Sequence, residues 1–153
     1  MSTPIILLVE DNRDDEELTR LALKECNVAN ELVVARDGKE ALDWLFCEGQ
    51  YADRDPCRIP CIILLDLKLP KISGLEVLER LRATPRTRRL PVVILTSSRE
   101  EQDLLRGYDL GANSYIRKPV DFDQFTNAVR QLGVYWMVLN ELPPKDTPCA
   151  HDA

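Results

Sequence analysis

The chain has 153 residues, a formal net charge of −6 and one histidine, His151. That length suits one domain, able to bury about two-thirds of its unfolded surface, and the negative charge argues against a nucleic-acid backbone or an anionic membrane as the main partner. The five cysteines, Cys26, Cys47, Cys57, Cys61 and Cys149, form no CxxC pair, which argues against zinc and against a disulfide framework.

In chain order, no basic and apolar leader opens the sequence, and no apolar run reaches the ~20 residues of a membrane span. A cytoplasmic protein is therefore expected. IILLV (5–9) reads as a first buried strand. A helix beginning near Asp14 follows, with Leu18, Leu21, Ala22 and Glu25 on its stripe. ELVVA (31–35) is a second strand, and DGKEALDWLF sets Ala41, Leu42, Leu45 and Phe46 on one helical face. After a long connection, CEGQYADRDPCRIP (47–60), come the strand CIILL (61–65), a helix near 74–82 and the strand VVIL (92–95). A helix near 99–110, the strand NSYIR (113–117) and a long helix over about 121–141 complete the pattern. Residues 142–153 read as a tail.

Five strands alternating with five helices predict an α/β fold with a parallel sheet, helices on both faces and right-handed crossovers. The nearly unbroken Val, Ile and Leu runs agree, since central parallel strands are buried on both faces. In such a sheet ligands gather beyond the C-terminal strand ends. There the sequence places Glu10 and Asp11 after the first strand, Asp66 after the third, Thr96 after the fourth and Lys118 after the fifth.

Three carboxylates on one rim repel by about 4 kcal/mol per pair at about 4 Å and an effective dielectric near 20, so a cation is expected. An all-oxygen site suits Mg²⁺. Lys118 would offset further charge and Thr96 would add a hydroxyl. A carboxylate can also attack phosphorus to give an aspartyl phosphate. Asp66 is the expected acceptor, because it follows the central strand and opens the turn DLKLPKISG. Singly, each residue has an ordinary reading: DNRDDEE is also an acidic helix start, Thr96 a cap and Lys118 a loop lysine. Their convergence on one rim favours a site.

With these residues in place, the chain resembles the receiver domains of two-component response regulators, over about residues 4–140. The pieces that carry the resemblance are LLVEDN, LLDLKLPKISG, VVILTSS and SYIRKP. It implies a flavodoxin-like (βα)5 three-layer sandwich whose five-stranded sheet runs 2-1-3-4-5. It also implies Asp66 as phosphoacceptor and a metal set of Glu10, Asp11, Asp66 and the backbone carbonyl of Lys68. Thr96 falls on the family's switch position, Tyr115 on its aromatic partner and Lys118 on its lysine.

EDNRDDEELTRLAL, the EGQYADRDP insertion and YDLGANSYIRKPVDFDQF make the chain more narrowly similar to stand-alone regulators paired with phytochrome histidine kinases. The implied protein takes a phosphoryl group from a sensor histidine kinase and loses it slowly by hydrolysis. It is a signalling phosphoprotein rather than a turnover enzyme. Its receiver would span residues 1–141, with no output domain and no direct contact with nucleic acid.

In the last predicted helix Phe122, Phe125, Val129, Leu132, Trp136 and Leu139 form one stripe. Val134, Tyr135, Met137 and Val138 make its final turns apolar nearly all round, and a homodimer contact is expected there. Two alternatives remain open. A haloacid-dehalogenase-type phosphatase also uses an aspartyl nucleophile but usually carries a second Asp where Lys68 stands. A phosphorylation-independent adaptor would keep only the fold. A dinucleotide binder is disfavoured, since EDNRDD stands where GxGxxG would be expected.

Overall fold

The alternation of apolar strands and amphipathic segments becomes a parallel sheet with helices against both faces. The computed structural model describes residues 4–25, 31–96, 106, 108–112, 114–117, 123, 127, 130 and 131. Within these lie β1 (Ile5–Val9), α1 (Arg13–Glu25), β2 (Glu31–Ala35), α2 (Gly38–Phe46), β3 (Ile62–Leu65), α3 (Gly74–Ala83), β4 (Val92–Thr96) and β5 (Ser114–Arg117). The sheet order is β2-β1-β3-β4-β5, and every adjacent pair is parallel. The predicted helices near 99–110 and 121–141, and the tail, lie largely outside the described residues.

Side chains alternate across a strand, and the core divides accordingly. Ile5, Leu7 and Val9 of β1 join Ile63, Leu65, Val92 and Ile94 in a cluster closed by Leu45 of α2 and Val77, Leu78 and Leu81 of α3. Ile6 and Leu8 point the other way and join Ile62, Leu64, Val93 and Leu95 with Ala22 and Leu23 of α1. Both faces of β1 and β3 are thus dry, which is why their sequences carry no polar alternation.

Local capping fixes where the helices start. Asn12 Oδ1 accepts from Asp14 N at 2.9 Å and Asp15 N at 3.1 Å. Asp37 accepts from Glu40 N at 2.7 Å at the start of α2, and Ser73 accepts from Glu76 N at 3.3 Å at the start of α3. Each satisfies a backbone donor that the first turn leaves unpaired.

Two sequence expectations need revision here. Leu21, placed on the buried stripe of α1, is 44% exposed, whereas Glu16, Thr19, Ala22 and Leu23 face inward. Glu16 tolerates this because it receives hydrogen bonds from Arg36 and from Arg20. Cys57 is disulfide-bonded, which revises the argument against disulfides at that position, while Cys47 and Cys61 are free thiols.

Candidate functional site

The site begins with register. Val9 lies opposite Leu65 in the β1–β3 ladder, so the residues that follow, Glu10 and Asp66, leave the sheet side by side. The ladder extends one bond further at each. Glu10 N donates to Ala35 O at 2.9 Å and Asp66 N to Val9 O at 3.0 Å, which fixes both backbones before their side chains enter the cleft.

Carboxylate oxygens of Glu10, Asp11 and Asp66 all lie within 4.8 Å of one another. Glu10 is 2% exposed and Asp66 8%, while Asp11 is open to solvent. Both buried carboxylates are oriented by a backbone N–H two residues on. Asn12 N donates to Glu10 Oε1 at 3.2 Å, and Lys68 N donates to Asp66 Oδ1 at 3.3 Å. Glu10 and Asp66 make further contacts as well.

Carboxylates this close repel one another, and a cation among them relieves that repulsion. Hard oxygen donors from two adjacent strand ends match the preference of a small divalent cation, which accepts a few carboxylates and keeps waters in its remaining positions. The residues present therefore fit a divalent metal. The same arrangement leaves Asp66 placed to act as a nucleophile beside that charge.

The loop after Asp66 closes on itself and on α2. Gly74 N donates to Leu67 O at 2.8 Å and Ile72 N to Pro70 O at 2.8 Å. Lys71 adopts φ 68°, the left-handed region that L residues enter at a cost. Its ammonium lies 3.5 Å from Asp37 Oδ2, on the residue that caps α2. Gly38 N also reaches Pro70 O at 3.4 Å.

Of the residues singled out in the sequence, the structure brings Glu10, Asp11 and Asp66 together. Lys68 is an exposed residue of the same loop. Thr96 ends β4 with its backbone opposite Arg117 of β5, at the sheet end where Asp66 stands, and Tyr115 pairs with Ile94 within the ladder. The side chains of Thr96 and Tyr115, and Lys118 altogether, lie outside the described residues.

Asn12, Asp37 and Lys71 were not identified from sequence as supports of the site. For Asp37 a signal existed, since D-x-x-E over 37–40 is a capping pattern. For Asn12 too there was one, since Asn before an acidic helix start is a preferred N-cap, whereas nothing local to Lys71 distinguishes it from an ordinary loop residue.

Comparison with known proteins places these features in context. The family model for the response regulator receiver domain matches residues 6–130. The response regulator Rcp1 of Synechocystis sp. is 37% identical over 139 residues, which cover 91% of this chain and 92% of Rcp1. The Mn²⁺-bound form of Rcp1 superposes with a TM-score of 0.83 at 36% identity, covering 92% of this chain and 99% of that one. The phosphorylated cyanobacterial phytochrome response regulator RcpA gives a TM-score of 0.84 at 40% identity, covering 94% of this chain and all of RcpA. The bacteriophytochrome response regulator AtBRR is 56% identical, with a TM-score of 0.74 and coverage of 92% of this chain and 100% of that one.

Proposed function

Because the chain belongs to the response regulator receiver domain family, we propose that it receives a phosphoryl group on Asp66 from a sensor histidine kinase of the phytochrome type and changes conformation in response. The observation that carries this reading is the cluster of Glu10, Asp11 and Asp66, drawn from two adjacent strand ends and confined within 4.8 Å. Relatives described as phytochrome and bacteriophytochrome response regulators support the kinase class.

In the proposed reaction a carboxylate oxygen of Asp66 attacks the phosphorus of a phosphohistidine. The new P–O bond forms as the P–N bond breaks, and the electron pair goes to the imidazole nitrogen, which takes up a proton. Asp66 is held for this by the ladder bond from its own N–H and by the Lys68 N–H on Oδ1. Glu10 and Asp11, with Asp66 and the Lys68 carbonyl, would hold Mg²⁺, whose charge neutralises the transferring phosphoryl oxygens. The Mn²⁺-bound form of Rcp1 supports a divalent ion at such a site.

Thr96 and Lys118 are assigned to the phosphoryl oxygens, as hydroxyl donor and cation, and Tyr115 to the switch that follows Thr96. Hydrolysis returns the carboxylate when water attacks phosphorus and the acyl P–O bond breaks. The receiver unit is taken as residues 1–141, acting in the cytoplasm. Among the described residues no helix is long and apolar enough to cross a membrane.

Incubation with acetyl phosphate and Mg²⁺, followed by intact mass, tests the assignment. A gain of one phosphoryl group, released by hydroxylamine and lost in Asp66→Asn, is expected. No gain in the parent chain, or a gain that survives in Asp66→Asn, overturns it.

A further inference from the structure

The loop that carries Asp66 is gripped by two glycines from different helices, at distances that no side chain would permit. At the first position of α3, a Cβ on Gly74 would lie 2.1 Å from the Asp66 carbonyl oxygen and 2.7 Å from Leu67 Cα. At the first position of α2, a Cβ on Gly38 would lie 2.0 Å from the Ile72 carbonyl oxygen and 2.7 Å from its carbon. In both cases the obstacle is backbone, which cannot rotate away as a side-chain tip can.

The two contacts address different parts of one loop. Gly74 bears on the peptide that leaves Asp66, and its N–H closes the loop base onto Leu67 O at 2.8 Å. Gly38 bears on the loop near its end, at Ile72, next to Lys71 with its positive φ and the Lys71–Asp37 ion pair. The backbone of Asp66 is meanwhile held by the ladder bond from its N–H to Val9 O.

We propose that Gly74 and Gly38 are positioning residues for the Asp66 carboxylate: α3 grips the loop at its Asp66–Leu67 start and α2 at Ile72, and together they hold Asp66 in register with Glu10 and Asp11. The proposal rests on the reading of Asp66 as phosphoacceptor, and it adds the device that sets its aim. Adding a methyl group at Gly74 displaces the Asp66–Leu67 peptide and tilts the carboxylate out of the cluster. A methyl group at Gly38 moves the loop at Ile72, and the displacement reaches Asp66 through the closed loop.

The test compares Gly74→Ala, Gly38→Ala and, as a control for general destabilisation, Leu81→Ala. Leu81 is fully buried near the other end of α3, roughly 10 Å along the helix from Gly74 at ~1.5 Å per residue. Each full-length variant is checked for folding by circular dichroism. Mn²⁺ binding is then read from the free-ion EPR signal, and the acetyl phosphate reaction from intact mass at saturating Mg²⁺.

Gly74→Ala is expected to weaken Mn²⁺ binding about tenfold or more and to slow phosphorylation by a comparable factor, since misplacement by about 1 Å suffices for losses of that order. Gly38→Ala is expected to act in the same direction with a smaller effect, and Leu81→Ala to lower Tm while leaving Mn²⁺ affinity within about twofold. If Gly74→Ala does not fold, Gly38→Ala decides. Parent-like Mn²⁺ affinity and rate in every folded glycine variant overturns the clamp, as does an equal loss in Leu81→Ala. A parent chain that binds Mn²⁺ but takes no phosphoryl group overturns the phosphoacceptor reading instead, and the clamp is then judged on Mn²⁺ affinity alone.

Discussion

Glu10 and Asp66 are acids at the edge of a dry sheet, and backbone hydrogen bonds hold them close together. A pair of unit charges within 4.8 Å of each other repels by about 3.5 kcal/mol or more at an effective dielectric near 20, before any counter-charge. Two consequences follow for the metal-free chain. Millimolar Mg²⁺ is expected to raise Tm, because an ion that binds only the folded state stabilises it by mass action. Asp11→Asn is expected to raise Tm without metal and to blunt the Mg²⁺ response, which differential scanning calorimetry with and without Mg²⁺ would show. Cys61 presents a different residue-scale outcome. Burial pushes its thiol up to about 11, and its Sγ donates to Ile5 O at 3.2 Å. At pH 8 it is expected to stay protonated and to react with a thiol reagent far more slowly than the partly exposed Cys47. Mass-resolved labelling that found Cys61 modified first would contradict this.

Between elements, polar staples do what the apolar pattern does not. Glu16 fastens α1 to Arg36 in the turn after β2, and to Arg20 one helical turn on. Burial raises its pKa, but the hydrogen bonds and charges of Arg36 and Arg20 outweigh that and hold the carboxyl below its ordinary value of 4.5. A group whose folded pKa is depressed stabilises the fold above its unfolded pKa and loses that contribution as pH falls through the folded one. Glu16→Gln is therefore expected to cost about 1 kcal/mol at neutral pH. In urea titrations across pH, the gap to the parent should be constant well above the ordinary value of 4.5 and close as pH falls below it. A gap that widened in acid would refute the sign. The 47–60 connection is fastened in the same manner by Arg54. Its guanidinium lies 3.8 Å over the Trp44 ring and donates to Trp44 O at 2.8 Å and Arg58 O at 2.6 Å. Lysine cannot reproduce that planar fork, and Arg54→Lys is expected to lose about 2 kcal/mol in chemical denaturation.

For the whole molecule, strand order is what creates the site. β2 follows β1 in sequence but takes the outer edge, and β3 returns to β1's other side. Glu10 and Asp66 thereby meet at the C-terminal rim, where the reversal of strand order opens a crevice. The last predicted helix bears on assembly. Its second apolar face, including Val134, Tyr135, Met137 and Val138, is proposed as a self-association surface. Sedimentation velocity is expected to show a dimer that Tyr135→Glu weakens. A monomer at every concentration, with and without acetyl phosphate, would end that proposal.

The apolar runs and their spacing determined the five strands, the helix face of α2 and the placement of acids at strand ends, because those properties are local and periodic. The strand order came from resemblance to a family, since periodicity says which faces are apolar and not which strand lies beside which. Tertiary structure decided the rest. Leu21 fell off the buried stripe and is largely exposed, while Glu16 was drawn inward by Arg36, whose proximity no spacing within α1 encodes. The closeness of Gly38 to Ile72 and of Gly74 to Asp66 is likewise a fact of three dimensions: a missing side chain leaves no pattern until another backbone arrives to use the space.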